Sequence, residues 1–160
     1  MKRLLVIAVV AALSLVGSGV LLAQSNPQVG TWKLNIAKSK FGSTPAPKSQ
    51  TQTVEAQGNG AKYSVEGVGA DGSRIAYSFT TNYDGKDSPI SGVGFPNGAD
   101  TIAVKRVDAN TDTATWKKAG KVVGTNRIVV SKDGKVRTFT AKGTDEQGQP
   151  MSATVVWDKQ

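Results

Sequence analysis

"SRIAYSFTTNYDG", residues 73–85, decides the fold class. Ile75, Tyr77, Phe79 and Tyr83 fall on one face of this run, and Arg74, Ala76, Ser78, Thr80 and Asn82 fall on the other. A period of two marks a strand with one buried face, because successive Cβ atoms point to opposite sides of a sheet. The run ends on Asp84-Gly85, a pair suited to a tight hairpin turn, since glycine reaches positive φ without a steric penalty.

The same punctuation recurs on both sides. Asn59-Gly60, Asp71-Gly72, Asn97-Gly98, Ala109-Asn110, Ala119-Gly120, Asp133-Gly134 and Gln147-Gly148 continue the series at spacings of 10 to 14 residues. Between them "AKYSVEGV" places Tyr63 and Val65 on one face. "DTIAVKRV" does the same for Ile102, Val104 and Arg106, and "SATVVWDK" for Ala153, Val155 and Trp157. Ten strands are predicted, at about 29–35, 50–57, 61–68, 73–83, 86–91, 100–107, 112–118, 121–131, 135–143 and 151–158. Short strands at even spacing, joined by hairpin turns and without long crossovers, predict an all-β chain: an up-and-down antiparallel β-barrel of about 8–10 strands. A two-layer sandwich is the competing arrangement. Two segments break the rhythm. Residues 37–49 carry Pro45 and Pro47, and residues 91–100 carry three glycines and a proline around Phe95, which reads as a loop at a barrel mouth.

The chain has 160 residues, with no cysteine and no histidine. Disulfides, thiolate chemistry, Ser-His-Asp catalysis and histidine-bound metals are thereby excluded. The acidic residues Asp71, Asp84, Asp133, Asp145 and Glu146 sit in turn sequences, where turn formation explains them better than acid–base work. No enzyme activity, cofactor or metal is expected. Lys2 and Arg3 precede the uncharged run Leu4 to Ala23, which describes a secretory signal peptide over residues 1–25, with a retained membrane anchor as the alternative. Cleavage would leave one domain, 26–160, exported to the periplasm or the medium and expected to be a monomer. Without Lys2 and Arg3 the 20 basic residues fall to 18 against 12 acidic ones, a net +6. For an exported chain this favours weak association with anionic envelope surfaces over nucleic acid.

"GTWKLN", residues 30–35, opens the first strand. It resembles the calycins, whose lipocalin branch opens on Gly-x-Trp and whose fatty-acid-binding branch often opens on Gly-Thr-Trp-Lys-Leu. The run "GTWKLNIAKSKFG", the central "YDGKD" and the final "VVWDKQ" look most like exported bacterial lipocalin-like proteins of unassigned activity. The resemblance implies that Trp32 forms the floor of the barrel, with the basic side chain of Arg137 or Arg127 over its indole. It also implies a departure. The Arg-x-Tyr pair with which fatty-acid-binding proteins grip a carboxylate is replaced here by Val155 and Trp157, and their helical lid by the proline-bearing segment 37–49.

Strand parity then nominates a pocket. Tyr77, Phe79 and Trp157 supply apolar lining with occasional polar tips. Arg106, in step with Ile102 and Val104, would bring a cation that needs an acidic partner or an anionic ligand. The expected function is an exported, non-enzymatic binding protein for a small apolar or amphipathic ligand, anionic ones included. The alternative is a cell-envelope structural or interaction module with a solid barrel and a basic outer surface.

Overall fold

The computed structural model describes residues 26–144 and 148–160. The expected leader, residues 1–25, lies outside them, as do Asp145 and Glu146. The described residues form one antiparallel sheet of eleven strands: β1 Gly30–Lys40, β2 Ser49–Gln57, β3 Gly60–Val68, β4 Arg74–Thr81, β5 Asp84–Pro89, β6 Ser91–Val93, β7 Thr101–Asp108, β8 Thr111–Lys118, β9 Lys121–Val130, β10 Val136–Thr144 and β11 Pro150–Lys159. A three-residue 3₁₀ turn, Pro96–Gly98, is the one helical element among the described residues. The barrel prediction holds, and the hairpin order with it.

The strand order is β5-β7-β8-β9-β10-β11-β1-β2-β3-β4-β6. From β7 to β11 and from β1 to β4 each strand pairs with its successor. The first and last strands also pair, with Leu34 opposite Trp157. The sheet curls until its two ends meet near β4 and β7, which share no ladder. Here the chain leaves β4, pairs β5 with β7 (Ser88 opposite Ile102), and returns to pair β6 with β4 (Ala76 opposite Val93). Chemistry at this seam limits further pairing. Pro89 ends β5 without an N–H to donate. Gly92 in β6 holds φ of 109°, and a Cβ there would stand 2.1 Å from the carbonyl oxygen of Ala76.

The departures from the predicted elements are local. Beyond the ten predicted strands, β6 forms within the segment read as a mouth loop. Ser91–Val93 is three residues long and exposed at every position, so it carries no alternation to read. β1 continues to Lys40 past an irregularity between Asn35 and Lys40. Ser39 fastens that bulge, its hydroxyl donating to the Asn35 carbonyl (2.6 Å) and accepting from the Val156 N–H (2.9 Å). The Asp84-Gly85 pair begins β5, and the bend falls earlier, at Tyr83, whose φ is 58°. A left-handed tyrosine costs roughly 1–2 kcal/mol. Its N–H donates to the Thr81 hydroxyl (3.0 Å), and its own hydroxyl is held by Asn26 and Tyr63.

Candidate ligand-binding site

One end of the barrel is closed by Trp32, which is fully buried and donates its indole N–H to the Gln28 carbonyl at 2.8 Å. The guanidinium carbon of Arg137 lies 4.5 Å from the Trp32 ring centre, 5.1 Å from that of Phe139 and 5.8 Å from that of Trp157. Ring faces carry partial negative charge, so this stack attracts a cation even where water is excluded. Arg137 donates to the side-chain carbonyls of Gln28 (3.4 Å) and Gln52. Its partners are neutral, and burial lowers its pKa to about 10, still protonated at neutral pH. Arg127, the other candidate to cover Trp32, is exposed.

A second polar chain runs beside the first. Gln28 Nε2 donates to Asp112 Oδ2 at 2.9 Å, and the other carboxylate oxygen of Asp112 accepts from Arg106 Nε. Arg106 also donates to Asn26 (3.1 Å) and lies 4.1 Å over the ring of Tyr83. The Tyr83 hydroxyl accepts from Asn26 (2.8 Å) and shares a hydrogen bond with Tyr63 (2.9 Å). Asp112 is completely buried, and this desolvation raises its pKa against the opposing pull of Arg106. Burial likewise raises the Tyr63 hydroxyl well above its ordinary value.

Above this polar end lies a cavity of about 310 Å³, walled by inward faces of β2–β4 and β7–β11. Three segments frame its mouth: the stretch from Phe41 to Pro47, Gly69 with Ala70, and Gly94 to Asn97. Phe95 leans over the opening, edge-on to Tyr77 (4.8 Å between ring centres) and to Trp116 (5.7 Å). Below it Tyr63 and Phe79, cross-strand neighbours, stack at 4.8 Å and 7°. The wall carries no Lys, Arg, Asp or Glu. Its polar points are Thr44, Gln50, Gln52, Asn97, Asn126, the tyrosines and the indole N–H groups of Trp116 and Trp157.

Of the four side chains nominated by parity, Tyr77, Phe79 and Trp157 line this cavity. Arg106 does not. It shares the inward parity of Ile102 and Val104, but it stands one step further along β7, directly opposite Asp112 in β8, and that carboxylate neutralises it. The acidic partner that an inward arginine demands is thus supplied by the protein itself. Sequence reasoning missed Asn126 and Phe139 as lining, and missed the pairing of Gln28 with Asp112. Asn126 had a readable signal, as a polar residue in phase with Ile128 and Val130. Gln28 had none, for it precedes the first strand. No group of three potential metal-ligating side chains occurs among the described residues.

No protein-family model matches the chain, and no curated protein matches it. Solved structures match in fold. Zebrafish ileal bile acid-binding protein complexed with cholic acid aligns with a TM-score of 0.52 at 11% identity, over 84% of this chain and 99% of that one. Two barrels bound to DFHBI align less well. EF1p2_mFAP2b gives 0.46 at 11% identity over 84% and 94%, and the redesigned barrel mFAP1 gives 0.44 at 12% identity over 83% and 95%. At such identities the likeness shows the fold.

Proposed function

We propose that the chain is a non-enzymatic binding protein that holds a small apolar or amphipathic molecule inside its barrel. One observation carries the reading: the aromatic-lined cavity of about 310 Å³, framed by three connecting segments at one end and backed by a buried polar cluster at the other. That volume lies at the lower edge of small-molecule sites, roughly 300–1,000 Å³, and such sites are mainly apolar with a few placed polar groups. A barrel of similar fold, the zebrafish ileal bile acid-binding protein, is complexed with cholic acid. The buried carboxylate Asp112 is engaged by Arg106 and Gln28 and does not line the cavity, which favours carriage over acid–base chemistry. The uncharged run Leu4 to Ala23 behind Lys2 and Arg3 supports export.

Native mass spectrometry of protein purified from its own host tests the proposal. A retained small molecule, released on unfolding, is the expected result. Absence of any retained molecule, together with no saturable uptake of an anilinonaphthalene sulfonate probe by the folded protein, would overturn it. N-terminal sequencing of the exported fraction tests the leader, with a start at about Gln24 or Asn26 expected.

A further inference from the structure

The binding proposal leaves the chemical class of the ligand open, and the cavity wall narrows it. Every side chain on that wall is uncharged. The buried cation Arg137 has no exposed surface and does not line the cavity; it lies behind Gln52, Phe139 and Trp157, which form the wall, and its two terminal nitrogens donate to Gln28 and Gln52. Arg106 is committed to Asp112. An ionised ligand group entering this cavity would lose its water and meet no opposite charge, a heavily unfavourable transfer.

Among the described residues three polar groups on that wall are buried without a partner, the indole N–H groups of Trp116 and Trp157 and the side-chain oxygen of Asn126, and of these residues Asn126 alone carries both a donor and an acceptor. It sits in the middle of β9, in phase with buried Ile128 and Val130, and is 8% exposed. Its side-chain oxygen has no hydrogen-bond partner among the described residues. Its cross-strand neighbours are Ala114 on β8 and Ala141 on β10, and Ala141 in turn faces Ala153 on β11. Small alanines therefore flank Asn126 on both neighbouring strands, and Asn126 is one of the residues lining the cavity. A buried amide without a partner costs stability, so its retention calls for an explanation. An amide both donates and accepts, and a half-turn of the group exchanges the two.

Resting on the binding proposal, we infer that the cavity selects an uncharged, ring-bearing ligand carrying a hydroxyl or carbonyl group, and that Asn126 is the residue that reads this group. Stacked Tyr63 and Phe79 with edge-on Phe95 and Trp116 offer flat faces and rims to a ring system. Carboxylate-bearing analogues of the same ligand are disfavoured.

Three fluorescent probes of matched shape test this on the full chain: pyrenemethanol, methylpyrene and pyrenecarboxylate. The alcohol is expected to bind one-to-one, about tenfold or more tighter than the carboxylate at neutral pH and tighter than the methyl compound. In Asn126→Leu the preference for the alcohol over the methyl compound should fall to about unity. Asn126→Ala, which matches the flanking alanines, provides the same comparison should the leucine disturb folding. A carboxylate bound as tightly as the alcohol overturns the uncharged class. A preference for the alcohol that survives in the folded variants overturns the role of Asn126. No saturable binding by any probe sinks the binding proposal, and this inference with it.

Discussion

Arg137 covers Trp32: its guanidinium carbon stands 4.5 Å from the ring centre, and neither side chain has any exposed surface. The two close one end of the barrel together. The indole is buried and fastened to the Gln28 carbonyl, while the guanidinium over its ring ties Gln28 to Gln52. Trp32→Ala is therefore expected to destabilise the fold by about 3–5 kcal/mol, because it removes a large buried ring and strips the cation of its face. Urea unfolding measures this. A loss under about 1 kcal/mol would show that the ring is idle.

Replacement of Arg137 by lysine tests the other half of the pair. Lysine keeps the charge but cannot spread a planar group over three rings, nor reach two glutamine carbonyls at once in the same fork. One buried acceptor is left unmatched, at a cost of about 1–3 kcal/mol. Equal stability of Arg137→Lys and the parent would mean that the point charge alone suffices.

Asp112 gives the fold an unusual pH response. Burial raises its folded pKa above the unfolded value of 3.8. The native state thus holds this proton more tightly, and the contribution of Asp112 to stability falls as pH rises through the interval between the two values. The exposed Asp71, Asp108 and Asp133 and the half-buried Asp158 behave oppositely. Hydrogen bonds lower their folded pKa values, and their contributions are lost on acidification. Comparison with Asp112→Asn isolates the buried group. The stability of the parent relative to the variant should be greater at about pH 3 than at about pH 7. A difference that grows with pH would reverse the sign and place the Arg106 pairing above desolvation.

Trp116 lies flat over Gly124, its cross-strand partner. A Cβ at Gly124 would stand 2.5 Å from Trp116 Cε3, too close to be tolerated without movement of the ring. Gly124 also pairs with Gly143, where an added Cβ would stand 2.5 Å from the Val123 carbonyl oxygen, so neither glycine of this rung has room for a side chain. Gly124→Ala is expected to cost about 1–3 kcal/mol through overpacking. Because Trp116 lines the cavity, the same change should weaken probe binding and alter tryptophan emission. Unchanged emission and unchanged binding would show that the ring adapts in place.

Much of this architecture was legible because its determinants are local. Alternation in Ile75–Phe79 and Ile102–Val104, with glycine at the hairpins, reports strand parity directly from neighbouring residues. The seam was not legible, since Ser91–Val93 is exposed on both faces and its pairing depends on how far the sheet has curled. Parity put Arg106 in phase with Ile102 and Val104 but carried no information on depth. One rung along β7 separates the cavity wall at Val104 from the ion pair at Arg106, and that rung is fixed by the register with Asp112. The covering of Trp32 by Arg137 entered through resemblance, because a contact between residues so distant in sequence leaves no periodic trace.

Phe95 lines the cavity at its mouth. It is half-buried, sits on the short connection between β6 and β7, and is held by edge contacts to Tyr77 and Trp116. Each aromatic pair contributes about 0.5–1.5 kcal/mol beyond the area it buries. Opening this corner means breaking both contacts while the sheet beneath stays intact, so the barrier to exchange includes their loss. Phe95→Ala removes both from the closed state. Dissociation of a bound pyrenemethanol should then accelerate about tenfold, matching roughly 1.4 kcal/mol from the barrier. Global stability should change by less than it does in Trp32→Ala, since Phe95 lies at the rim and Trp32 lies under the guanidinium. Stopped-flow dissociation beside urea unfolding separates the two effects. Unchanged dissociation in a folded Phe95→Ala protein would direct the entry route elsewhere, to the segment from Phe41 to Pro47.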